Sequence, residues 1–190
     1  MNDQKYTIRD MMLMSLFAAL TAILSWIFIP LPVPVDVTAQ TFGPMLAGIL
    51  LGPRKGAMSQ VIYILLGVIG LPVFSGGRAG AAVLFGEGGG YLVGFVVGCY
   101  VIGILHERLV KNRKTKVQEL FFSFVSVFTG GVIVVYLFGV PWLMVVLGFD
   151  LVEAVIMGAV VFLPGDIVKA VAAVLLSRYF LIIKESGIFI

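Results

Sequence analysis

The sequence predicts an all-α integral membrane protein: one membrane domain over residues 1–190, built as a bundle of six transmembrane helices with structured outer loops. Three observations predict it. Hydrophobic residues make up 61% of the 190 residues and charged ones 12%, against about 25% charged in a soluble domain. The mean hydropathy is +1.13. The apolar residues fall in blocks near membrane-crossing length, separated by short basic or Gly/Pro-rich stretches. A chain this small has too much surface to hide such an excess in a water-soluble core, so its solvent is lipid.

Residues 11–28 form the first span. Lys5 and Arg9 precede it as they would a signal peptide, but the run is too long for a typical h-region and no small-x-small site follows, so it reads as a retained span. Pro30, Pro32 and Pro34 end it in a loop. Residues 37–52 are uncharged but short for a crossing, which suits a segment partly buried in protein. Arg54 and Lys55 separate it from the third span, residues 56–71. A glycine-rich loop over 72–90 leads into the fourth, residues 88–106, and a short basic stretch follows it. Residues 119–138 make the fifth span. Residues 139–163 are apolar but interrupted by Pro141, Gly148, Asp150 and Glu153, and read as a long loop. Residues 164–183 are the last span.

Charge sets the orientation. With both termini in the cytoplasm, all of the 13 Lys and Arg except Arg78 and Lys169 lie inside, as the positive-inside rule requires. The inner set is Lys5, Arg9, Arg54, Lys55, Arg108, Lys111, Arg113, Lys114, Lys116, Arg178 and Lys184. The outer side then carries few charges of both signs: Arg78 and Lys169 with Asp36, Glu87, Asp150, Glu153 and Asp166. They sit on or beside three long loops, 30–40, 72–90 and 139–163. Irregular backbone at membrane depth is tolerated where it is buried in protein or lines a cavity, so these loops suit a lidded pocket facing outward. The net charge of +3 does not indicate nucleic acid, because the basic residues stand at the ends of apolar runs without aromatic interleaving.

The chemistry gathers at the head of the last span, Gly165-Asp166-Ile167-Val168-Lys169. Asp166 and Lys169 are three apart and share a helix face. A bare charge in mid-membrane costs about 2.5–3.5 kcal/mol on insertion scales. Capping by Asp166 with Lys169 as its neutraliser explains the acid, but a cation near a helix N-terminus opposes the dipole. A pair held inside the bundle instead offers an acceptor beside a donor, which suits a ligand with N–H and C=O together, such as a cyclic urea or amide. Arg78, in FSGGRAGAAVLFGEGGGY over 74–91, reads two ways: a two-pronged grip on a ligand carboxylate, or a headgroup residue paired with Glu87. Gln40, Phe74, Tyr91, Tyr136 and Trp142 are candidate pocket walls, with membrane-interface aromatics as the other reading.

Gly90, Gly94 and Gly98 repeat at four-residue spacing and give one helix a smooth face for packing within the bundle. Ala18 and Ala22 do the same on the first span, where a partner protein is the alternative. Cys99 reads as a small packing residue and His106 as a boundary residue, since no other His or Cys accompanies either. There is no Walker A sequence, no G-x-G-x-x-G spacing at Gly86, no Ser–His–acid set and no metal spacing. The reading is a membrane protein with an outward ligand pocket and without a cofactor, not an enzyme.

Several of these stretches together resemble one family: Thr38-Ala39-Gln40-Thr41-Phe42, GLPVFSGGRAG (70–80), GGYLVGF (89–95), YLFGVPWL (136–143) and FLPGDIVKAVAA (162–173). The chain is similar along nearly its whole length to BioY, the biotin-specific substrate-capture (S) component of energy-coupling factor (ECF) transporters. The resemblance implies a bacterial cytoplasmic membrane protein with an outward biotin pocket, working with a transmembrane coupling protein and two ATPases. It implies that Asp166 and Lys169 serve biotin's ureido ring, that Gln40 and Tyr91 lie near the pocket, and that Ala18 and Ala22 dock on the coupling protein. Two departures from the family's pattern bear on Arg78: Asp36 stands where a second proline is usual, and Glu87-Gly88 where Pro-Thr is commoner. The rival readings are the same fold serving another vitamin, a solitary carrier without ATPases, and an enzyme acting on lipid headgroups.

Overall fold

The computed structural model describes residues 6–29, 34–110 and 115–185, the last five of these by backbone alone. Lys5, Pro30, Pro32, Lys111, Arg113, Lys114 and the side chain of Lys184 lie outside the described residues.

Helix α1 spans Ile8–Ser25. Thr7 caps it reciprocally with Asp10: each backbone N–H donates to the other's side chain. After it, β1 (Phe28–Ile29) pairs antiparallel with β2 (Val37–Thr38) in a two-stranded ribbon. The expected second span therefore starts later than residue 37, because Val37 and Thr38 pair with the end of the first span instead.

Helix α2, Phe42–Val68, is two arms joined at Gly52, whose φ of 77° lies in the left-handed region that favours glycine. Pro53 opens the second arm, where a missing N–H costs nothing. The bend is sharp. A Cβ on Gly56 would lie 3.0 Å from the Ala47 carbonyl oxygen. Gln40 Nε2 donates to Tyr63 Oη at 2.6 Å, though 23 residues of straight helix would separate them by about 34 Å. The arms thus fold back on each other with Arg54 and Lys55 at the tip.

Helix α3 is a single turn, Ala82–Phe85, inside the glycine-rich loop. Helix α4 runs Gly89–Val110. Its glycine stripe faces its own bundle. Cβ atoms would lie 2.4 Å from Trp142 Cβ at Gly90, 2.9 Å from Val135 Cα at Gly94, and 2.3 Å from the Gly130 oxygen at Gly98. Helix α5 (Lys116–Phe128) passes through a π-helical stretch, Thr129–Val134, into α6 (Val135–Leu147). Helix α7 (Leu151–Val155) passes through a second, Ile156–Val160, towards α8 (Leu163–Glu185).

The expected long loop over 139–163 is therefore mostly helix. Pro141 sits inside α6, and the chain breaks only around Gly148, a left-handed C-cap. Membrane helices tolerate such prolines because neighbouring groups re-satisfy the freed carbonyls.

Among the described residues four helical stretches are long and apolar enough to cross a membrane: Ile8–Ser25, Gly89–Val110, Lys116–Leu147 and Leu151–Phe180. Their outer faces carry Leu16, Ile23, Leu137, Val145 and Val168, all more than half exposed. That surface is stable against lipid and not against water, so the protein is a multi-pass membrane protein.

Charges collect at the two ends. At one end Lys55 pairs with Asp10, and a Cβ on Gly52 would meet Glu107. At the other lie Asp36, Arg78, Glu87, Asp166 and Lys169. The core between is apolar, with Phe17, Met45, Ile102 and Val127 on one side and Tyr63, Phe74, Phe95 and Leu143 on the other.

Candidate functional site

At the end holding Asp166, the loops and helix heads line a cavity that opens at its mouth. Its floor is the start of α8. Pro164 lies in the first turn, where its missing N–H is harmless, and Asp166 lies where the helix dipole favours an acid. Asp166 is 2% exposed. Its Oδ1 accepts from Thr41 Oγ1 at 2.9 Å, its Oδ2 accepts from Tyr136 Oη at 2.6 Å, and Lys169 Nζ approaches Oδ1 to 2.5 Å. Lys169 Nζ also donates to the Thr38 carbonyl at 2.8 Å. The acid one turn earlier makes a cation tolerable at a helix N-terminus.

The residues around Asp166 come from far apart in the chain. Thr41 precedes α2 and spends its hydroxyl on Asp166 instead of capping its own helix. Tyr136 follows the first π-helical stretch directly. In the second such stretch the Gly158 carbonyl accepts from Tyr91 Oη at 2.6 Å.

The walls are apolar. Phe74 is 1% exposed and meets Tyr63 edge-on at 5.7 Å between centroids. Tyr91 meets Phe162 edge-on at 6.3 Å, and Leu92, Phe95 and Val135 complete the lining. Gln40 also lines the cavity. Its Nε2 donates to Tyr63 Oη, which donates to the Val73 carbonyl at 3.0 Å, so the entry to α2 is tied to the 72–74 segment.

Arg78 stands at the mouth with its side chain 40% exposed. It is already engaged. Nε donates to the Ser75 carbonyl at 3.1 Å, Nη1 donates to Glu87, and Nη2 lies 3.8 Å from Asp36 Oδ2. Asp36 in turn accepts from Ser75 Oγ at 2.8 Å. Partial burial pushes the Glu87 carboxyl up, but its backbone hydrogen bond and the Arg78 guanidinium outweigh this and hold it below the usual carboxylate range. Of the two sequence readings for Arg78, the structure realises the pairing with Glu87.

The structure thus brings Asp166, Lys169, Arg78, Gln40, Tyr91, Phe74 and Tyr136 around one cavity. It leaves Trp142 out. The indole Nε1 donates to the Gly86 carbonyl at 2.9 Å and the ring covers Gly90, so Trp142 clamps the loop from outside the cavity. Ala18 needs a second correction. It is 0% exposed and packs in the same cluster as Tyr63 and Phe74, so it offers no surface to a partner. Ala22 is half-buried against that cluster. The small residues on the outer face of α1 are Ser15 and Ala19.

Thr41, Ser75 and Phe162 also line the cavity, and no motif marks them individually in the sequence. The only signal for Thr41 was a hydroxyl next to an apolar helix start, where a buried polar group needs a partner. Among the described residues no group of three His, Cys, Asp or Glu side chains is placed to hold a metal ion.

The family model for the BioY family matches residues 1–184. The chain is 42% identical over 173 residues to the biotin transporter BioY of Rhizobium etli, covering 90% of this chain and 91% of that one. It is 37% identical over 171 residues to the probable biotin transporter BioY of Bacillus subtilis, covering 88% of each. Among solved structures it is similar to the S-component for biotin from an ECF-type ABC transporter, with a TM-score of 0.84 and 32% identity over 95% of this chain and 93% of that one.

Proposed function

Since the chain belongs to the BioY family, we propose that it is the S component that captures biotin outside the cell for an ECF-type transporter. One observation carries the reading: the unspent hydrogen-bonding capacity of the Asp166–Lys169 pair. An ionised carboxylate has about four acceptor sites and an ammonium three donors. Thr41, Tyr136 and Lys169 occupy three at Asp166, while Asp166 and Thr38 occupy two at Lys169. One acceptor and one donor remain side by side at the floor of an apolar cavity. Biotin's ureido group presents an N–H and a C=O side by side and completes both. Phe74, Leu92, Phe95 and Val135 cover its ring system and chain, as apolar walls with a few convergent polar groups suit a small-ligand site.

In this reading the protein crosses the cytoplasmic membrane six times, the two arms of α2 counting separately, with both termini inside. The described segments 34–40 and 72–90 close over the ligand. A partner module of one transmembrane coupling protein and two ATPases reorients the loaded bundle, because the sequence carries no Walker A motif. Docking falls on the exposed face of α1, around Ser15 and Ala19, and not on Ala18.

The test is mass spectrometry of the small molecule released on denaturing the purified protein, with titration of biotin into emptied protein. Biotin released, or bound one to one, is expected. A different vitamin released, or an emptied protein that does not bind biotin, refutes the reading.

A further inference from the structure

The cavity's two polar corners differ in depth. Asp166 is 2% exposed, whereas the Arg78 side chain is 40% exposed. If the ureido ring sits on the Asp166–Lys169 pair, as proposed above and as this inference requires, the tail of the ligand ends at the Arg78 corner.

That corner is not an open cationic site. All three edges of the guanidinium face acceptors within the chain: the Ser75 carbonyl, Glu87 and Asp36. Counting both corners, two cations (Arg78, Lys169) face three carboxylates (Asp36, Glu87, Asp166), a net charge of −1. Arg78 keeps N–H donors unspent, but a ligand carboxylate that reaches them meets two of the chain's own carboxylates in a corner of net negative charge. Repulsion from Asp36 and Glu87 offsets much of the gain of pairing with Arg78. A neutral amide tail has no such cost. Its C=O accepts from an unspent Arg78 N–H while its N–H donates to Asp36, whose Oδ2 lies 3.8 Å from Nη2.

We infer that the mouth of this site does not select for a free carboxylate, and that the protein takes tail-amidated biotin conjugates, such as biotinyl-amines, as readily as biotin itself. Arg78 latches the two outer loops to each other and reads a carbonyl, with Asp36 as the specificity-determining acid beside it.

The experiment is paired calorimetric titration of emptied full-length protein in detergent with biotin and with biotin carboxamide. The expected result is an amide Kd within about tenfold of the acid's, or tighter. In the variant carrying Asp36→Asn with Glu87→Gln, which frees Arg78, the ratio is expected to move towards the acid by about tenfold. An acid more than about tenfold tighter than the amide in the unaltered protein overturns this inference and leaves the biotin reading standing. A ratio that the double substitution does not move overturns it too. If neither compound binds, the biotin reading falls and this inference with it. The unaltered protein alone decides the first point, whether or not the variant folds.

Discussion

Replacing Asp166 by Asn changes one oxygen for one NH₂ and leaves the volume alone, so it isolates the charge. The carboxylate holds three partners: Thr41 Oγ1 at 2.9 Å, Tyr136 Oη at 2.6 Å and Lys169 Nζ at 2.5 Å. Hydrogen bonds to a charged group are worth about 1.5–3 kcal/mol each and neutral ones about 1, so weakening them all costs several kcal/mol before compensation. Removing one partner of a buried ion pair costs about 3–5 kcal/mol, because the other charge is left uncompensated. Here the loss is smaller, since Lys169 keeps the Thr38 carbonyl at 2.8 Å and its side chain is 17% exposed. We expect Asp166→Asn to lower stability by about 2–4 kcal/mol. Biotin affinity is expected to fall by about 1.5–3 kcal/mol, or about 10- to 150-fold, because the remaining acceptor is no longer charged. Thermal unfolding in detergent measures the first and calorimetric titration of the folded variant the second. Undiminished affinity in a folded variant refutes the role given to the carboxylate. Undiminished stability refutes the weight given to its three contacts.

Ala18→Leu places a larger side chain where nothing is exposed and is expected to cost about 1–3 kcal/mol by thermal unfolding of the isolated protein, whereas Ala19→Leu on the outer face stays within about 0.5 kcal/mol; equal effects would contradict the assignment of the two faces. Gly98→Ala sets a Cβ 2.3 Å from the Gly130 oxygen, a backbone atom that no rotamer change relieves, so α4 must move off the π-helical stretch at about 2–3 kcal/mol. A variant as heat-stable as the parent would show that this contact is looser than drawn. Glu87 titrates below its ordinary value of 4.5 in the folded protein, so its contribution is complete above that value and lost as pH falls through the lower, folded one. The gap in unfolding temperature between the parent and Glu87→Gln should then hold from pH 7 to about 5 and close under more acid conditions. A gap that persists there, or that opens instead, would contradict the Arg78–Glu87 latch.

Lipid as solvent, the gathering of charge at the ends of the apolar runs and the pairing of Asp166 with Lys169 were legible in the sequence because each rests on cost: an excess of apolar residues has nowhere else to go, and a charged pair in an apolar run must be compensated. Family likeness was legible for the same local reason, as it is carried by short contiguous stretches. Other features depend on what the chain meets at a distance. Gly52 followed by Pro53 marks a break, but that the break is a fold-back bringing Gln40 to Tyr63 appears only when both arms are in place. Pro141 reads as a helix breaker in isolation, yet a helix packed in a bundle keeps it, so a loop was expected where α6 runs. Ala18 and Ala19 are indistinguishable in composition, and only the position of Tyr63 and Phe74 decides that the first is core and the second surface. Local residue chemistry therefore determined the environment and the charged centre, while the tertiary structure decided which partners, Thr41 and Tyr136 at the floor and Glu87 and Asp36 at the mouth, share each charge, because hydrogen bonds between remote segments have no signature in linear spacing.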